Sequence, residues 1–301
     1  MKKYKKKVVI TGALGQDGLI LSKIFIKKKF KVIGIVKNIK NTIKGVKYYR
    51  ISLNNLTLLT KTLNKIEPDI FIHLGTDNPN FLETKKYSFN KNYKIIKNIL
   101  DFFSKYKKKT KIILVGSSQM YEKKDFKINL KTNFKPQNSY AKFRIKSYNY
   151  MLKIKKKNKI NASMAILFNH DSIYRNKKFL LPRIAKSIKE KKILYLKKIF
   201  KENISGDFSH ASDICNGIYK LSKTKINPNK IILSSNKRTF INDIINNLLD
   251  ISKNKIKFKK IKIKKFTSPL GDNSFAKKNL KWIIKKNSYI AAQELIQSFR
   301  K

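Results

Sequence analysis

Short apolar runs alternate with longer stretches in which apolar residues recur every three or four positions, and the alternation starts at residue 7. The short runs predict strands over residues 7–11, 31–36, 46–50, 69–74, 111–115 and 163–168. The longer stretches predict helices over 16–29, 56–66, 87–105 and 139–157. Strand then helix, repeated, implies a parallel sheet, because a parallel neighbour is reached only by a crossover and the crossover helices cover both faces. Right-handed crossovers make the sheet doubly wound, of the Rossmann type. Past residue 170 the rhythm changes: helical pieces at 179–191, 213–223 and 241–251 are separated by strand-like runs at 192–196, 230–234 and 256–263. The expected architecture is therefore α/β, with residues 1–168 as the main unit and 169–301 as a smaller α+β lobe. The run at 230–235 is a candidate to return to the first sheet. No internal repeat is visible.

Composition narrows the class. The 301 residues carry 72 Lys+Arg against 17 Asp+Glu, a formal charge of +55, yet 41% are hydrophobic and 11% aromatic, which excludes a disordered polycation. Six of the basic residues are arginine: Arg50, Arg144, Arg175, Arg183, Arg238 and Arg300. A specific reader of nucleic acid favours arginine at bases and phosphates, so this lysine-dominated surface predicts no specific nucleic-acid partner. The lysine clusters are spread along the chain and read as solvated faces. The single cysteine, Cys215, cannot form an internal disulfide, which makes a reducing compartment the default. No run approaches the ~18 apolar residues of a membrane span. The basic start, residues 1–7, is followed by an apolar run too short for a signal-peptide core. The expected location is the cytoplasm.

The first strand runs into Thr11-Gly-Ala-Leu-Gly-Gln-Asp-Gly18. Gly12 permits the tight turn, Gly15 lets the backbone approach a pyrophosphate, and Gly18 lets the following helix pack close to the sheet. The helix N-terminus then offers free N–H groups to the phosphates. This is the pattern of a dinucleotide site, placing Gly12, Gly15, Gln16, Asp17 and Gly18 at the cofactor. The second strand ends Ile35-Val-Lys-Asn38, and no Asp or Glu occurs between Asp17 and Glu67. An acidic residue at that strand end holds the ribose 2′-hydroxyl of NAD; here Lys37 stands where a 2′-phosphate would sit, which favours NADP over NAD.

The fifth strand ends Val115-Gly-Ser-Ser-Gln-Met-Tyr121, and Asn138-Ser-Tyr-Ala-Lys-Phe-Arg144 opens a helical stretch. Further on come Leu167-Phe-Asn-His-Asp-Ser172, His210-Ala-Ser-Asp213 and Gly271-Asp-Asn-Ser-Phe-Ala-Lys-Lys-Asn-Leu-Lys-Trp282. With the glycine-rich turn, these segments resemble the extended short-chain dehydrogenase/reductase superfamily, and within it the GDP-mannose 4,6-dehydratases, over nearly the whole chain. The resemblance implies an NADP-dependent enzyme acting on a nucleotide sugar, a homo-oligomer without a metal. In that reaction a hydride leaves sugar C4, the resulting ketone acidifies C5, a glutamate takes the C5 proton as water leaves C6, and the hydride returns to C6. By resemblance Tyr140 is the base for the C4 hydroxyl, Ser117 guides that hydroxyl, Asn169 meets the substrate phosphates and Arg183 lies near the sugar nucleotide. A free phenol titrates near 10, so a tyrosine base needs neighbouring positive charge.

Two positions depart from the family. Where it has a lysine four residues after the tyrosine, this chain has Arg144. At ~100° per residue Arg144 shares the face of Tyr140, whereas Lys142 and Lys146 point elsewhere. Arg144 can supply charge and bind a ribose, but its planar guanidinium is no copy of an ammonium. Where the dehydratase has its glutamate, this chain has Gln119, whose amide cannot take the C5 proton. Glu122, three residues along, and Asp77, after the fourth strand, are candidate substitutes, and neither has the right position by spacing alone. The C4 redox step needs only Ser117, Tyr140 and a cation, so a nucleotide-sugar 4-keto reductase or 4-epimerase is the alternative. A cofactor-binding protein that has lost catalysis is a third reading. Gly206 stands where the family has an arginine, and an Arg-Pro-x-Glu segment for the base has no match around residues 266–270. Arg238 is a cation without an assigned role.

Overall fold

The alternating pattern folds as a seven-stranded parallel sheet in the computed structural model, which describes residues 6–76, 89–106, 109–254, 256, 258 and 266–299. The first half runs β1 (Lys7–Thr11), α1 (Gln16–Lys27), β2 (Lys31–Val36), β3 (Val46–Arg50), α2 (Leu56–Ile66), β4 (Ile70–His73), α3 (Phe89–Tyr106) and β5 (Lys111–Ser117). After a single 3-10 turn at Ser118–Met120 come β6 (Lys127–Ile128), α4 (Ser139–Asn158), β7 (Ala162–Leu167) and β8 (Asn169–Asp171). The chain continues through α5 (Leu180–Lys189), α6 (Ile193–Glu202), β9 (Ile204–His210), α7 (Ala211–Lys223) and β10 (Lys230–Leu233). It ends with β11 (Arg238–Phe240), α8 (Ile241–Ile251), β12 (Phe266–Thr267), β13 (Leu270–Gly271), α9 (Ser274–Leu280) and α10 (Ser288–Ser298).

The strand order is β10-β7-β5-β4-β1-β2-β3. The chain winds one way from β1 to β3 and the other way from β4 outward, so the direction reverses between β1 and β4. At such a reversal the connecting loops diverge and leave a crevice at the carboxyl ends of the strands, where ligands of this fold class bind. One face of the sheet buries Leu59 and Leu63 of α2, Ile96 and Phe103 of α3, and Phe143 and Met151 of α4. The other buries Leu21 and Phe25 of α1, Ile214 and Ile218 of α7, and Trp282. β10 pairs with β7 in parallel, so residues 230–233 do return to the main sheet.

The smaller unit has its own core, drawn from α5, α6, α8 and α10. Its sheet is centred on β9, flanked by β11, β12 and β8. Two expectations fail here. Residues 192–196 are not a strand but lie at the start of α6, in which Leu196 and Ile199 are the buried pair at helical spacing. Five residues were too few to separate a period of two from one of 3.6. β9 gave no apolar signal because it is written Ser205, Gly206, Asp207, Ser209 and His210, yet the whole strand is buried. The run at 256–263 lies largely outside the described residues, as does Asp77.

Candidate active site

The glycine-rich turn is held by contacts that leave no room for a side chain at Gly12 or Gly18. Gly12 has φ +69°, a left-handed backbone that favours glycine, and its N–H donates to the Ile35 carbonyl at 2.9 Å. A Cβ on Gly18 would lie 2.4 Å from the Gly12 oxygen. Gly15 is the N-cap of α1, so the first free N–H groups of that helix open at the turn. The side chains of Gln16 and Asp17, expected at the cofactor, are engaged elsewhere. The Gln16 amide donates to Asp17 Oδ1 at 3.1 Å and to the His170 carbonyl at 3.2 Å, and accepts from Ser172 Oγ at 3.1 Å. His170 Nε2 lies 3.1 Å from both Asp17 oxygens. What these two residues offer a ligand is their backbone. Lys37 follows β2 and is exposed.

Tyr140 and Arg144 stand one turn apart on α4, which Asn138 caps by accepting from the Ala141 N–H at 2.9 Å. Both are buried, at 6% and 2% exposure. Arg144 Nη2 donates to the Tyr140 hydroxyl at 3.0 Å and to Thr76 Oγ1 at 2.7 Å. The phenol oxygen thus faces a guanidinium donor at hydrogen-bond distance. Thr76, just past β4, gave no sequence signal beyond its place at a strand end. Nε and Nη1 of Arg144 are buried without a partner among the described residues. An orphaned donor of that kind calls for an acceptor that is not among the described residues.

His73, the last residue of β4, was also missed. The Leu74 and Gly75 N–H groups donate to Thr11 Oγ1 at 3.2 and 3.1 Å, so the Thr11 hydroxyl donates to His73 Nδ1, 2.9 Å away. Burial and the Arg144 charge push the His73 imidazole down to about 3, so the ring is neutral and carries its proton on Nε2. Arg144 is thus the charged member of this group.

Ser117 ends β5 half-buried, and its Oγ accepts from the Gln119 N–H at 3.2 Å. The Gln119 side-chain oxygen accepts from the Asn138 amide at 2.8 Å. Gln119 therefore braces the start of α4 through its side-chain oxygen. Glu122 is bound by Lys135 at 2.7 Å and Lys124 at 3.0 Å. On the substrate side Asn169 is exposed on β8, with its amide 3.4 Å from the Asp207 carbonyl. Arg183 on α5 is half-buried and stacks over Tyr195 at 4.6 Å. Among the described residues no group of His, Cys, Asp or Glu side chains could hold a metal, and no helix is long and apolar enough to cross a membrane.

The Asp17–His170 pair gives the site a pH signature. Burial by itself would raise Asp17, but the His170 charge and hydrogen bond, with Arg175, hold it at about 2. Burial would lower His170, but Asp17 outweighs it and raises the imidazole. A depressed carboxyl contributes stability above its ordinary 3.8 and loses it as pH falls through about 2. A raised imidazole contributes fully below its ordinary 6.5 and loses that as pH climbs through its elevated value. The two windows overlap from 3.8 to 6.5. Urea unfolding of wild type and Asp17→Asn should differ most in that interval, and the gap should narrow on the alkaline side.

The family model for GDP-mannose 4,6 dehydratase matches residues 9–288. The chain belongs to the GDP-mannose 4,6-dehydratase family. It is 22% identical over 266 residues to GDP-mannose 4,6 dehydratase 2 of Caenorhabditis elegans, covering 80% of this chain and 69% of that one. It is 27% identical over 240 residues to the GDP-mannose 4,6 dehydratase of Dictyostelium discoideum, covering 71% and 67%. The chain thus spans about two thirds of the length of these dehydratases. Two solved structures share its fold. A UDP-glucuronic acid 4-epimerase from Bacillus cereus, in complex with UDP-glucuronic acid and NAD, superposes with TM-score 0.82 at 18% identity, covering 98% of this chain and 99% of that one. A dTDP-glucose 4,6-dehydratase from Bacillus anthracis, in complex with NAD, superposes with TM-score 0.81 at 14% identity, covering 98% and 96%. The chain is an enzyme of the nucleotide-sugar epimerase/dehydratase class, built on the short-chain dehydrogenase/reductase fold. Within this dehydratase family, the cradle at Gly12, Gly15 and Gly18 and the orphaned Arg144 donors suit a dinucleotide pyrophosphate and a ribose.

Proposed function

We propose that this enzyme works on C4 of a nucleotide sugar with NADP, either oxidising and re-reducing that carbon as a 4-epimerase or reducing a 4-keto group with NADPH as a 4-keto reductase. The observation that carries the reading is Gln119: an amide stands where elimination needs a proton acceptor, and its oxygen accepts from Asn138. When bound, the dinucleotide supplies the acceptor and later the donor of the C4 hydride. Tyr140 takes the proton of the C4 hydroxyl and returns it when the carbonyl is reduced. Arg144 donates to the phenol oxygen throughout, so the negative charge it gains is met by a cation already in place. Ser117 donates to the sugar oxygen and fixes its direction. Gly12, Gly15, Gly18 and the backbone of Gln16 and Asp17 cradle the pyrophosphate, Arg144 holds a ribose, and Lys37 faces a 2′-phosphate. Residues after 168, apart from β10, hold the sugar nucleotide, with Asn169 and Arg183 directed to its phosphates.

Dehydration is the second reading, favoured by the family match. It requires a carboxylate that Gln119 does not supply. Incubation with GDP-, UDP- and dTDP-linked hexoses and NADP, with products read by mass spectrometry and NMR, separates the two. A C4 epimer, or NADPH-dependent reduction of a supplied 4-keto sugar, supports the proposal; a 4-keto-6-deoxy product from the wild-type enzyme overturns it. Gln119→Glu restores the missing acceptor next to Asn138 and is expected to yield 4-keto-6-deoxy product, with the rate of C4 oxidation changed by less than about tenfold.

A further inference from the structure

Arginine is scarce in this chain, six of 72 basic residues, and each described arginine other than Arg50 touches a side chain of the protein. Arg144 bonds Tyr140 and Thr76, Arg175 pairs with Asp171, and Arg183 stacks on Tyr195. Arg238 bonds Ser205 Oγ, the Ser268 carbonyl and Asp125. Arg50 is exposed, with no hydrogen-bond or ion-pair partner among the described residues. Where almost every surface cation is lysine, an arginine without a hydrogen-bond or ion-pair partner suits an oxyanion with two oxygens that a fork grips better than a point charge does.

Its place in the sheet says which anion. Arg50 closes β3, and the register sets it beside Val36, the last residue of β2, which Lys37 follows. Adjacent strands run about 4.8 Å apart, so Arg50 and Lys37 leave the carboxyl edge of the sheet as neighbours. Alternation along β3 puts Arg50 on the face of Tyr48, and Tyr48 packs with Ala13 of the glycine-rich turn in the α1 core. Gly12 is tied to the same strand end through the Ile35 carbonyl at 2.9 Å. Two unpartnered cations therefore flank the far end of the dinucleotide turn, and no acidic residue lies anywhere between Asp17 and Glu67 to offset them.

We propose that Arg50 is the specificity-determining residue of this site: its guanidinium grips two oxygens of the phosphomonoester on the adenosine ribose, and Lys37 adds a second charge. The inference rests on the dinucleotide reading above and adds a residue to it. Direct titration tests it, with NADPH, NADH, 2′,5′-ADP and 5′-AMP added to wild type, Arg50→Ala and Arg50→Lys, followed by calorimetry. Arg50→Ala should weaken NADPH and 2′,5′-ADP by about ten- to a hundredfold and leave NADH and 5′-AMP within about twofold, with Arg50→Lys between. Equal losses for NADPH and NADH in Arg50→Ala, or no loss for either, overturn the assignment. Full NADPH affinity in Arg50→Lys overturns the role of the fork. A wild-type protein that binds neither dinucleotide removes the reading underneath; one that binds both, with NADH as tight as NADPH, removes the phosphate seat alone.

Discussion

Tyr140→Phe should bring C4 oxidation down by about a hundred- to ten-thousandfold, the usual worth of a positioned acid–base group. Dinucleotide affinity should hold within a few-fold. The reason lies in how the phenol is held. Its ring is buried at the head of α4 and keeps its packing against Phe143 when the oxygen is removed. Arg144 loses one acceptor but retains Thr76 at 2.7 Å, so the guanidinium stays placed for the cofactor. Single-turnover reduction of bound dinucleotide, beside equilibrium titration of the same variant, separates chemistry from binding. A Phe variant that still reduces dinucleotide at near wild-type rate would remove Tyr140 from the role of base.

Gly18→Ala should damage both the fold and the cofactor site. The new Cβ would meet the Gly12 oxygen at 2.4 Å and the Ala13 Cα at 2.6 Å, both backbone atoms that cannot rotate away. Either α1 slides off the sheet or the turn opens. Overpacking of this kind costs about 3 kcal/mol, and the displaced N–H groups should cut dinucleotide affinity by more than about tenfold. Gly15→Ala is the control. Its φ is −75°, and the nearest atom to an added Cβ, the Gly12 oxygen, is 3.3 Å away. That variant should unfold in urea close to wild type while its ligand affinity falls, because there the glycine leaves room for pyrophosphate and not for protein. Urea midpoints and dinucleotide titrations on the two variants check the contrast.

Legibility in the sequence followed the range of the interactions involved. The main sheet could be read because each strand and helix announces itself by apolar spacing within a dozen residues, and the glycine turn because all three glycines fall within seven. Arg144 could be placed on the face of Tyr140 from helix geometry alone. Its second partner, Thr76, is 68 residues away and carries no local mark. β9 was invisible for a related reason. Its polar side chains are buried because distant groups satisfy them: the Asp207 carboxylate accepts from the N–H groups of Ser235, Asn236 and Gly271.

By itself, the sequence determined a parallel α/β sheet with a dinucleotide-type turn, and a tyrosine and a cation on one helix face. Those features follow from periodicity and steric rules that act over a few residues. Tertiary structure alone decided which charged groups are committed and which are free. Asp17, beside the glycine turn, is taken by His170 of β8, 153 residues away in the chain. Gln119 is spent on the cap of α4, while Arg50 is set free next to Lys37. Strand order and register fix such pairings, and both depend on how the whole sheet assembles, a quantity no short window of sequence contains.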